Sequence, residues 1–320
     1  MGSQKKELPP IRACLFDMDG LLIDSEDKYT LITNLILQEY GKPNLPWSIK
    51  AQLQGRPAPQ VHIQTLPLEI KHSPTTHSPQ TKATKIFDEW AQLPISREEY
   101  YAKQAALQAV HFPTSQPLPG VETLLSSLAS TASTSSPVHI ALATSSQTKN
   151  FIMKTSHLED LFSVFTPERR ILGDDPRIPP GRGKPLGDIY LVALEAVNKG
   201  IRAQGNGEPE VKPEECLVFE DSVPGVEAGR RAGMQVIWCP HKGLREEYRG
   251  REEEVLAGAT GEHKEEAKPD AEKLAEKIGG EMQQVGNNGD GKPGELGDGW
   301  GQFLDTLESF PYEQYGIKIP

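Results

Sequence analysis

The stretch IRACLFDMDG, residues 11–20, is an apolar run that ends in two aspartates and a glycine. A short apolar run closed by a turn is typical of a buried strand in a parallel sheet. Residues two apart in a strand project to the same side, so Asp17 and Asp19 are predicted to lie together, while Gly20 lets the chain turn sharply. The alternative is that the two aspartates only form hydrogen bonds with the backbone of this turn.

Further apolar runs alternate with amphipathic stretches along the chain. The predicted strands are residues 11–16, 138–143, 162–165, 216–219 and 236–239. The predicted helices are residues 120–129, 147–156, 187–198 and 225–232. Strands that alternate with helices predict an α/β fold, here a Rossmann-like parallel sheet with helices on both faces.

The section 26–117 breaks this alternation. Apolar spacing and helix-forming residues predict helices at 26–40, 47–53 and 97–110, without a convincing strand. An all-helical block after the first strand predicts a second, smaller domain beside the carboxyl end of that strand, where α/β sheets bind ligands. The domains are then residues 1–25, 118–250 and 296–320 for the sheet, and residues 26–117, with a loose insert near 67–84, for the helical block.

The segment 251–295 is acidic and of low complexity. It holds twelve acidic and six basic side chains, a net charge of −6, with few aromatic or branched residues. Such a segment buries too little apolar area to offset its chain entropy, so we expect it to be mostly disordered, with at most a short helix at 271–278. Order is expected again near Trp300, where the apolar residues up to Leu307 have helical spacing.

The composition excludes several function classes. The 320 residues carry a net charge of −11, which argues against a nucleic-acid partner because such binding needs clustered Lys and Arg. No run approaches the roughly 20 apolar residues of a membrane span, and the first residues lack a secretory signal. Three scattered cysteines argue against a disulfide framework or a zinc site. We expect a monomer in the cytosol, with entry into the nucleus left open.

The fourth predicted strand, residues 216–219, ends like the first, in Glu220-Asp221-Ser222. Because parallel strands end at the same edge, four carboxylates would converge there, and like-charge repulsion forbids this unless a cation binds between them. A few hard oxygen ligands suit Mg²⁺, which keeps several waters and joins a phosphate. The sequence therefore predicts Mg²⁺ as the cofactor.

Two further segments suit a phosphate. Thr144 and Ser145 follow the second predicted strand and precede a helix, and hydroxyls and free amides at a helix amino terminus bind anions. An ordinary helix cap by Ser145 or Ser146 is the alternative, and both can hold together. Lys184 precedes another helix, where its ammonium either neutralises phosphoryl charge or is solvated.

These segments, in this order, resemble the motifs of the haloacid dehalogenase superfamily. The matching residues are Asp17-Met18-Asp19-Gly20, Thr144 or Ser145, Lys184, and Glu220-Asp221. The resemblance implies that Asp17 is the nucleophile of phosphoryl transfer and Asp19 its general acid and base. It implies that Thr144, the Ser145 amide and Lys184 hold the phosphate. It implies that Mg²⁺ binds Asp17, the Asp19 backbone carbonyl and Asp221, with Glu220 as a direct or indirect ligand, and that residues 26–117 form the family's small helical cap.

Within the superfamily the chain looks like the pseudouridine-5′-phosphatase branch. The segments that carry this likeness are 16–26, 143–146, 153–156, 173–176, 183–185, 307–310 and 315–316. One departure is Gly187, which stands where relatives usually have Pro before the residue matching Asp188. In such caps a loop at Gly55-Arg56 recognises the substrate. Arg56 is therefore expected to bind a second anionic or hydroxyl-rich group, with a solvated surface arginine as the alternative.

The expected substrate is a small phosphomonoester, with pseudouridine 5′-phosphate first and sugar or polyol phosphates next. A sugar phosphomutase of the same fold is one alternative, because its phosphoaspartate would pass the phosphoryl group to a second hydroxyl instead of water. A non-catalytic scaffold, whose acidic insert binds a basic partner, is the other. The intact motifs favour an enzyme over the scaffold.

Overall fold

A computed structural model describes residues 8–55, 82–262 and 291–320. Among these residues, one sheet contains six strands: β1 Ala13–Phe16, β2 His139–Ala143, β3 Arg170–Ile171, β4 Cys216–Glu220, β5 Gln235–Trp238 and β6 Gly301–Phe303. All neighbouring strands are parallel, in the order β3-β2-β1-β4-β5-β6. The predicted Rossmann-like α/β fold is therefore confirmed.

Eleven α-helices accompany the sheet in the described part of the chain. Those before β2 are α1 Ser25–Glu39, α2 Trp47–Leu53, α3 Lys82–Ala91, α4 Arg97–His111 and α5 Val121–Ser130. Those after β2 are α6 Thr148–Thr155, α7 Glu159–Phe162, α8 Asp188–Gln204, α9 Val223–Arg231, α10 Lys242–Glu247 and α11 Glu252–Leu256. Over the described residues, none of the helices is both long and apolar enough to cross a bilayer.

The central strand β1 separates two apolar layers. Ala13 and Leu15 pack into the cluster that contains the buried faces of α8 and α9. Cys14 and Phe16 pack into the other cluster, with α5 and α6. Successive residues of a strand point to opposite faces, so a strand that is apolar throughout has to be covered on both sides.

The strand register brings the ends of β1, β2 and β4 to one edge. Phe16 lies opposite Leu142 of β2 and Phe219 of β4. The residues that follow these three positions leave the sheet at its carboxyl edge, which is where parallel α/β sheets bind ligands. The candidate site is built on these strand ends.

Helices alone make up the named elements in the described parts of residues 26–117, as predicted. The helices α1 and α4 pack around Ile32, Ile36 and Phe112, which form a third apolar cluster. The helix α3 was not predicted, and it begins at Lys82, so the expected loose insert does not reach Thr84. The other residues of that insert, 67–81, lie outside the described residues. The assignment of 26–117 as a separate domain stays a prediction.

The strand predicted at 162–165 is wrong. Phe162 ends α7, and the third strand is Arg170–Ile171, which pairs with β2. Phe162 and Phe165 are buried because their rings contact Phe151 and Phe16. A short apolar run is typical of a buried helical turn as well as of a strand, and here the turn occurs.

The chain after residue 250 also departs from the prediction. The helix α11 opens the acidic segment and buries Val255 and Leu256, so residues 251–262 are ordered against the sheet domain. The helix expected from Trp300 is instead the strand β6, which pairs with β5. A Cβ on Gly301 would lie 2.5 Å from the Leu256 carbonyl oxygen, so this close approach needs a glycine. The short helix expected at 271–278 lies outside the described residues.

Candidate active site

Asp17 and Asp19 follow β1, as the sequence indicates. The Asp19 backbone N–H donates to Asp17 Oδ2 over 2.9 Å, which is the kind of turn hydrogen bond that was the alternative to a cation site. Gly20 has a φ of 79°, and a Cβ there would lie 2.3 Å from Asp221 Oδ2. The turn therefore brings β1 against the acidic end of β4.

Lys184 lies between two buried carboxylates. Its Nζ donates to Asp17 Oδ1 and forms an ion pair of 2.6 Å with Glu220 Oε1. The lysine is 3% exposed and also donates to the Ala143 carbonyl oxygen over 3.3 Å. Burial alone would lower the pKa of Lys184, but the charges of Asp17 and Glu220 raise it above its ordinary value. The lysine is therefore a fixed cation and not a solvated side chain.

Glu220 is held almost entirely by protein donors. Tyr190 donates to Oε1 over 2.6 Å, while Oε2 accepts from the Asp221 and Ser222 backbone N–H groups over 3.1 and 3.2 Å. The Ser222 hydroxyl donates to the same Oε2 over 3.0 Å and also caps α9 by accepting from the Gly225 N–H. These contacts fix Glu220 and leave Asp221 as the less constrained carboxylate.

Asp17, Glu220 and Asp221 form the acidic cluster of the site. Each offers a carboxylate oxygen, and these oxygens all lie within 4.8 Å of one another. Burial raises the pKa of Asp17 to about 7, against the opposing charge of Lys184. Burial and the charges of Glu220 and Asp17 raise the pKa of Asp221 well above its ordinary value. The three buried carboxylates carry more negative charge than Lys184 can balance. A divalent cation would offset this excess of negative charge.

Gln54 adds an amide to this cluster from the helical section. Its Nε2 donates to Asp221 Oδ2 over 2.5 Å, and its buried Oε1 has no hydrogen-bond partner among the described residues. A donor set of carboxylate and carbonyl oxygens is the one that Mg²⁺ prefers. The residues present therefore fit Mg²⁺.

Thr144 and Ser145 lie beyond β2, opposite the aspartates. Thr144 is fully buried, and its Oγ1 accepts from the Ser146 N–H and lies 3.5 Å from Asp19 Oδ2. Ser145 is half-buried. Neither Ser145 nor Ser146 caps the next helix, because α6 begins at Thr148 with its first N–H bound to Asp174. These residues therefore remain available to the site.

Lys154, like Gln54, is a residue of the site that the sequence did not predict. This lysine of α6 is fully buried, and its Nζ contacts Asp19 Oδ1 over 2.5 Å. Burial would raise the pKa of Asp19, but the charge and hydrogen bond of Lys154 hold it below its ordinary value. Phe151, Lys154 and Thr155 share the buried face of α6, and this spacing was the available signal.

Arg56 lies outside the described residues, although Gly55 before it rests on Ser222, where a Cβ would lie 2.5 Å from Oγ. Asp188 begins α8 and pairs with Arg182 over 2.6 Å.

The family model for haloacid dehalogenase-like hydrolases matches residues 11–233. A yeast relative from Saccharomyces cerevisiae, named "Probable pseudouridine-5'-phosphatase", is 40% identical over 72% of this chain and 83% of its own. A Drosophila melanogaster relative of the same name is 36% identical over 79% of this chain and 91% of its own.

Among solved structures, CbbY from Rhodobacter sphaeroides, in complex with phosphate, matches with a TM-score of 0.50 and 19% identity, over 73% of this chain and 88% of its own. This likeness supports the fold alone. The family match and the two relatives, together with the strand-end carboxylates and buried lysines, establish that the chain belongs to the haloacid dehalogenase-like hydrolase family and is an enzyme of its phosphatase kind.

Proposed function

We propose that this enzyme is a Mg²⁺-dependent phosphomonoester hydrolase that acts through an aspartyl-phosphate on Asp17. The observation that carries the proposal is the acidic cluster of Asp17, Glu220 and Asp221 at the carboxyl edge of the sheet, in which Lys184 pairs with Asp17 and Glu220. A surplus of buried negative charge beside a nucleophilic carboxylate is suited to a cation and to the phosphate that the cation attracts.

Three groups of the chain are proposed to bind the ion. Mg²⁺ would be held by the Asp17 carboxylate, the Asp19 backbone carbonyl and Asp221. Glu220, which Tyr190 and Ser222 hold in place, would act as an indirect ligand beside Asp221. When bound, the ion would neutralise negative charge between the Asp17 carboxylate and the substrate phosphate.

The reaction would proceed in two displacements. A carboxylate oxygen of Asp17 forms a bond with phosphorus, the bond between phosphorus and the leaving oxygen breaks, and Asp19 gives a proton to that oxygen. A bound phosphate dianion would raise the pKa of Asp19 against the lowering by Lys154, and this would favour protonation of Asp19 before the step. Thr144, the Ser145 amide and Lys184 bind the transferred oxygens. In the second displacement, water attacks phosphorus, Asp19 takes the water proton, and the bond to Asp17 breaks to release phosphate.

The helical section 26–117 would serve as the cap that selects the substrate. In support, Trp47 of α2 packs on Gly243, where a Cβ would lie 2.1 Å from its ring, and stacks on His241 at 4.6 Å. Gln54, which follows α2, adds a second contact by donating a hydrogen bond to Asp221. Arg56, two residues further on, is proposed to bind the leaving group of the substrate.

Pseudouridine 5′-phosphate is the proposed first substrate, because the yeast and Drosophila relatives carry the name of that activity. Sugar and polyol phosphates are the next candidates. We also propose a monomer in the cytosol. The three cysteines, Cys14, Cys216 and Cys239, are free thiols, which is consistent with a reducing compartment.

The test is phosphate release by the purified full-length chain from a panel of phosphomonoesters. The panel holds pseudouridine 5′-phosphate, glycerol 3-phosphate, 2-deoxyglucose 6-phosphate, p-nitrophenyl phosphate and a hexose 1-phosphate, each with Mg²⁺ or with EDTA. We expect release that requires Mg²⁺ and is strongest for one natural ester. Isomerised hexose phosphate without free phosphate would replace the hydrolase with a mutase, and no turnover of any substrate would reject both.

A further inference from the structure

A second buried lysine serves the other aspartate of the site. Lys154 of α6 is fully buried and forms an ion pair with Asp19, just as Lys184 forms one with Asp17. The rings of Tyr29 and Phe112 lie 4.5 and 4.7 Å from Lys154 Nζ. An ammonium that is fully buried between these rings and paired with Asp19 is placed to act on the reaction through Asp19.

The contacts of Asp19 show what Lys154 holds in place. Asp19 Oδ1 accepts from Lys154 Nζ and from the Ser25 hydroxyl, each over 2.5 Å. Asp19 Oδ2 accepts from the Ser146 hydroxyl over 2.6 Å. Lys154 also donates to Ser146 Oγ over 2.9 Å and to the Tyr29 hydroxyl over 3.0 Å. The lysine therefore fixes one carboxylate oxygen directly and the other through Ser146.

We propose that Lys154 is a positioning residue that orients the Asp19 carboxylate for the water step of the reaction. The inference rests on the proposed function. In that step the water oxygen forms a bond with phosphorus, the water proton passes to a carboxylate oxygen of Asp19, and the bond between phosphorus and Asp17 breaks. A carboxylate that rotates freely accepts this proton less efficiently, because general base catalysis requires hydrogen-bond reach to the water.

The experiment is the steady-state and burst kinetics of Lys154→Met with p-nitrophenyl phosphate. The p-nitrophenolate group leaves without a proton, so formation of the aspartyl-phosphate, and with it kcat/KM, should stay within about threefold of wild type. Hydrolysis of the intermediate should slow by about 10²-fold, since a positioned base contributes at least that factor. We therefore expect kcat and KM to fall together, and a burst of about one p-nitrophenolate per enzyme to precede the slow turnover.

Lys50→Met is the matched control. Lys50 is also a buried lysine, but its partners are Glu26, at 3.3 Å, and the Thr30 hydroxyl, at 2.7 Å. It should show no burst and no joint fall of kcat and KM. If Lys154→Met does not fold, Ser146→Ala tests the positioning role instead, because it removes the hydroxyl that donates to Asp19 Oδ2 with little change of volume. In Ser146→Ala, kcat and KM should again fall together at nearly constant kcat/KM, but by a smaller factor than in Lys154→Met.

The proposed function and the positioning role fail in different ways. A wild type without phosphatase activity, or an active Asp17→Asn variant, rejects the proposed function. If the wild type hydrolyses phosphomonoesters and Asp17→Asn does not, the proposed function stands, and the Lys154→Met kinetics test the positioning role alone. It is overturned when kcat of Lys154→Met, or of Ser146→Ala in its place, is unchanged or falls at constant KM without a burst.

Discussion

Gln54, which follows α2, donates a hydrogen bond from Nε2 to Oδ2 of Asp221, at the end of β4. The two residues are 167 positions apart in the chain, and both are buried. The contact joins the helical section directly to a proposed ligand of Mg²⁺. A hydrogen bond of this kind favours the ionised form of a carboxylate, which is the form that binds a metal.

Gln54→Leu tests this contact. Loss of the donor should raise the pKa of Asp221 further, so that Mg²⁺ has to displace a more firmly held proton. A hydrogen bond to a charged group contributes about 1.5–3 kcal/mol, so the Mg²⁺ concentration for half-maximal activity should rise about tenfold or more. The matched control is Gln52→Leu, because Gln52 is exposed on α2 and bonds to the Ser48 carbonyl oxygen. An unchanged Mg²⁺ requirement in Gln54→Leu would contradict the role.

The stability of the metal-free enzyme should fall as the pH rises from about 4 to about 7. Burial raises the pKa of Asp17 to about 7, so the folded state keeps a proton that the unfolded chain releases above about pH 4. The folded state then binds more protons over this range, and the free energy of unfolding decreases with pH. Melting temperatures in EDTA between pH 5 and pH 8 measure this slope. Mg²⁺ should restore stability most at the alkaline end of this range. A melting temperature in EDTA that does not change with pH would contradict the raised pKa of Asp17.

Asp17→Asn should abolish turnover while the fold persists. Asparagine keeps the size of the side chain but lacks the charged carboxylate that is proposed as the nucleophile, so kcat should fall by at least about 10³-fold. The melting temperature in EDTA should hold or rise, because one of three crowded carboxylates is gone and Lys184 keeps Glu220 as its partner. Turnover near that of the wild type in a rigorously purified sample would end the covalent hypothesis.

Leu256→Ala tests the packing of α11. Leu256 is 9% exposed and contacts Gly301 of β6, so its truncation should cost about 2 kcal/mol of unfolding free energy. Chemical denaturation measures the change, and kcat should stay near wild type. Leu296→Ala is the control, because Leu296 is 63% exposed and its truncation should cost less than about 0.5 kcal/mol. Equal small losses for both variants would mean that α11 contributes little.

Arg56→Ala separates substrate selection from chemistry. If Arg56 binds the leaving group, kcat/KM for the best natural ester should fall by roughly one to two powers of ten, with a smaller loss for p-nitrophenyl phosphate. Lys184→Ala should reduce both alike, because Lys184 is proposed to bind the phosphoryl group that the substrates share. Equal losses of kcat/KM for both substrates in Arg56→Ala would indicate a role in cap closure. No loss of kcat/KM for either substrate would support the alternative of a solvated surface arginine.

The sheet could be predicted from sequence where a strand is a mainly apolar run that is buried along its whole length. Strands β1, β2, β4 and β5 have that form, because both faces are covered. The strand β3 has two residues, too few for any periodicity. The strand β6 depends on a contact between Gly301 and Leu256 that is distant in sequence. No local pattern encodes such a contact, so the apolar spacing around Trp300 predicted a helix.

The site shows the same division. Asp17, Lys184, Glu220 and Asp221 stand at strand ends or before a helix, and the sequence placed them at one edge of the sheet. Lys154 lies in the middle of a helix, where a lysine normally reaches solvent. Its burial depends on rings supplied by Tyr29 and Phe112 from the helical section, and these contacts exist only in the folded chain.

The ammonium of Lys184 is shared by Asp17 and Glu220, and this sharing has an evolutionary consequence. Replacement of the lysine alone would leave two buried carboxylates without their counter-charge, at a high cost in stability. Replacement of Glu220 by glutamine first would remove one of those charges and soften the later loss of the lysine. Substitutions at positions 184 and 220 are therefore epistatic. A descendant that abandons catalysis has an easier path through Glu220 than through Lys184, and the order of these two changes would record the path taken.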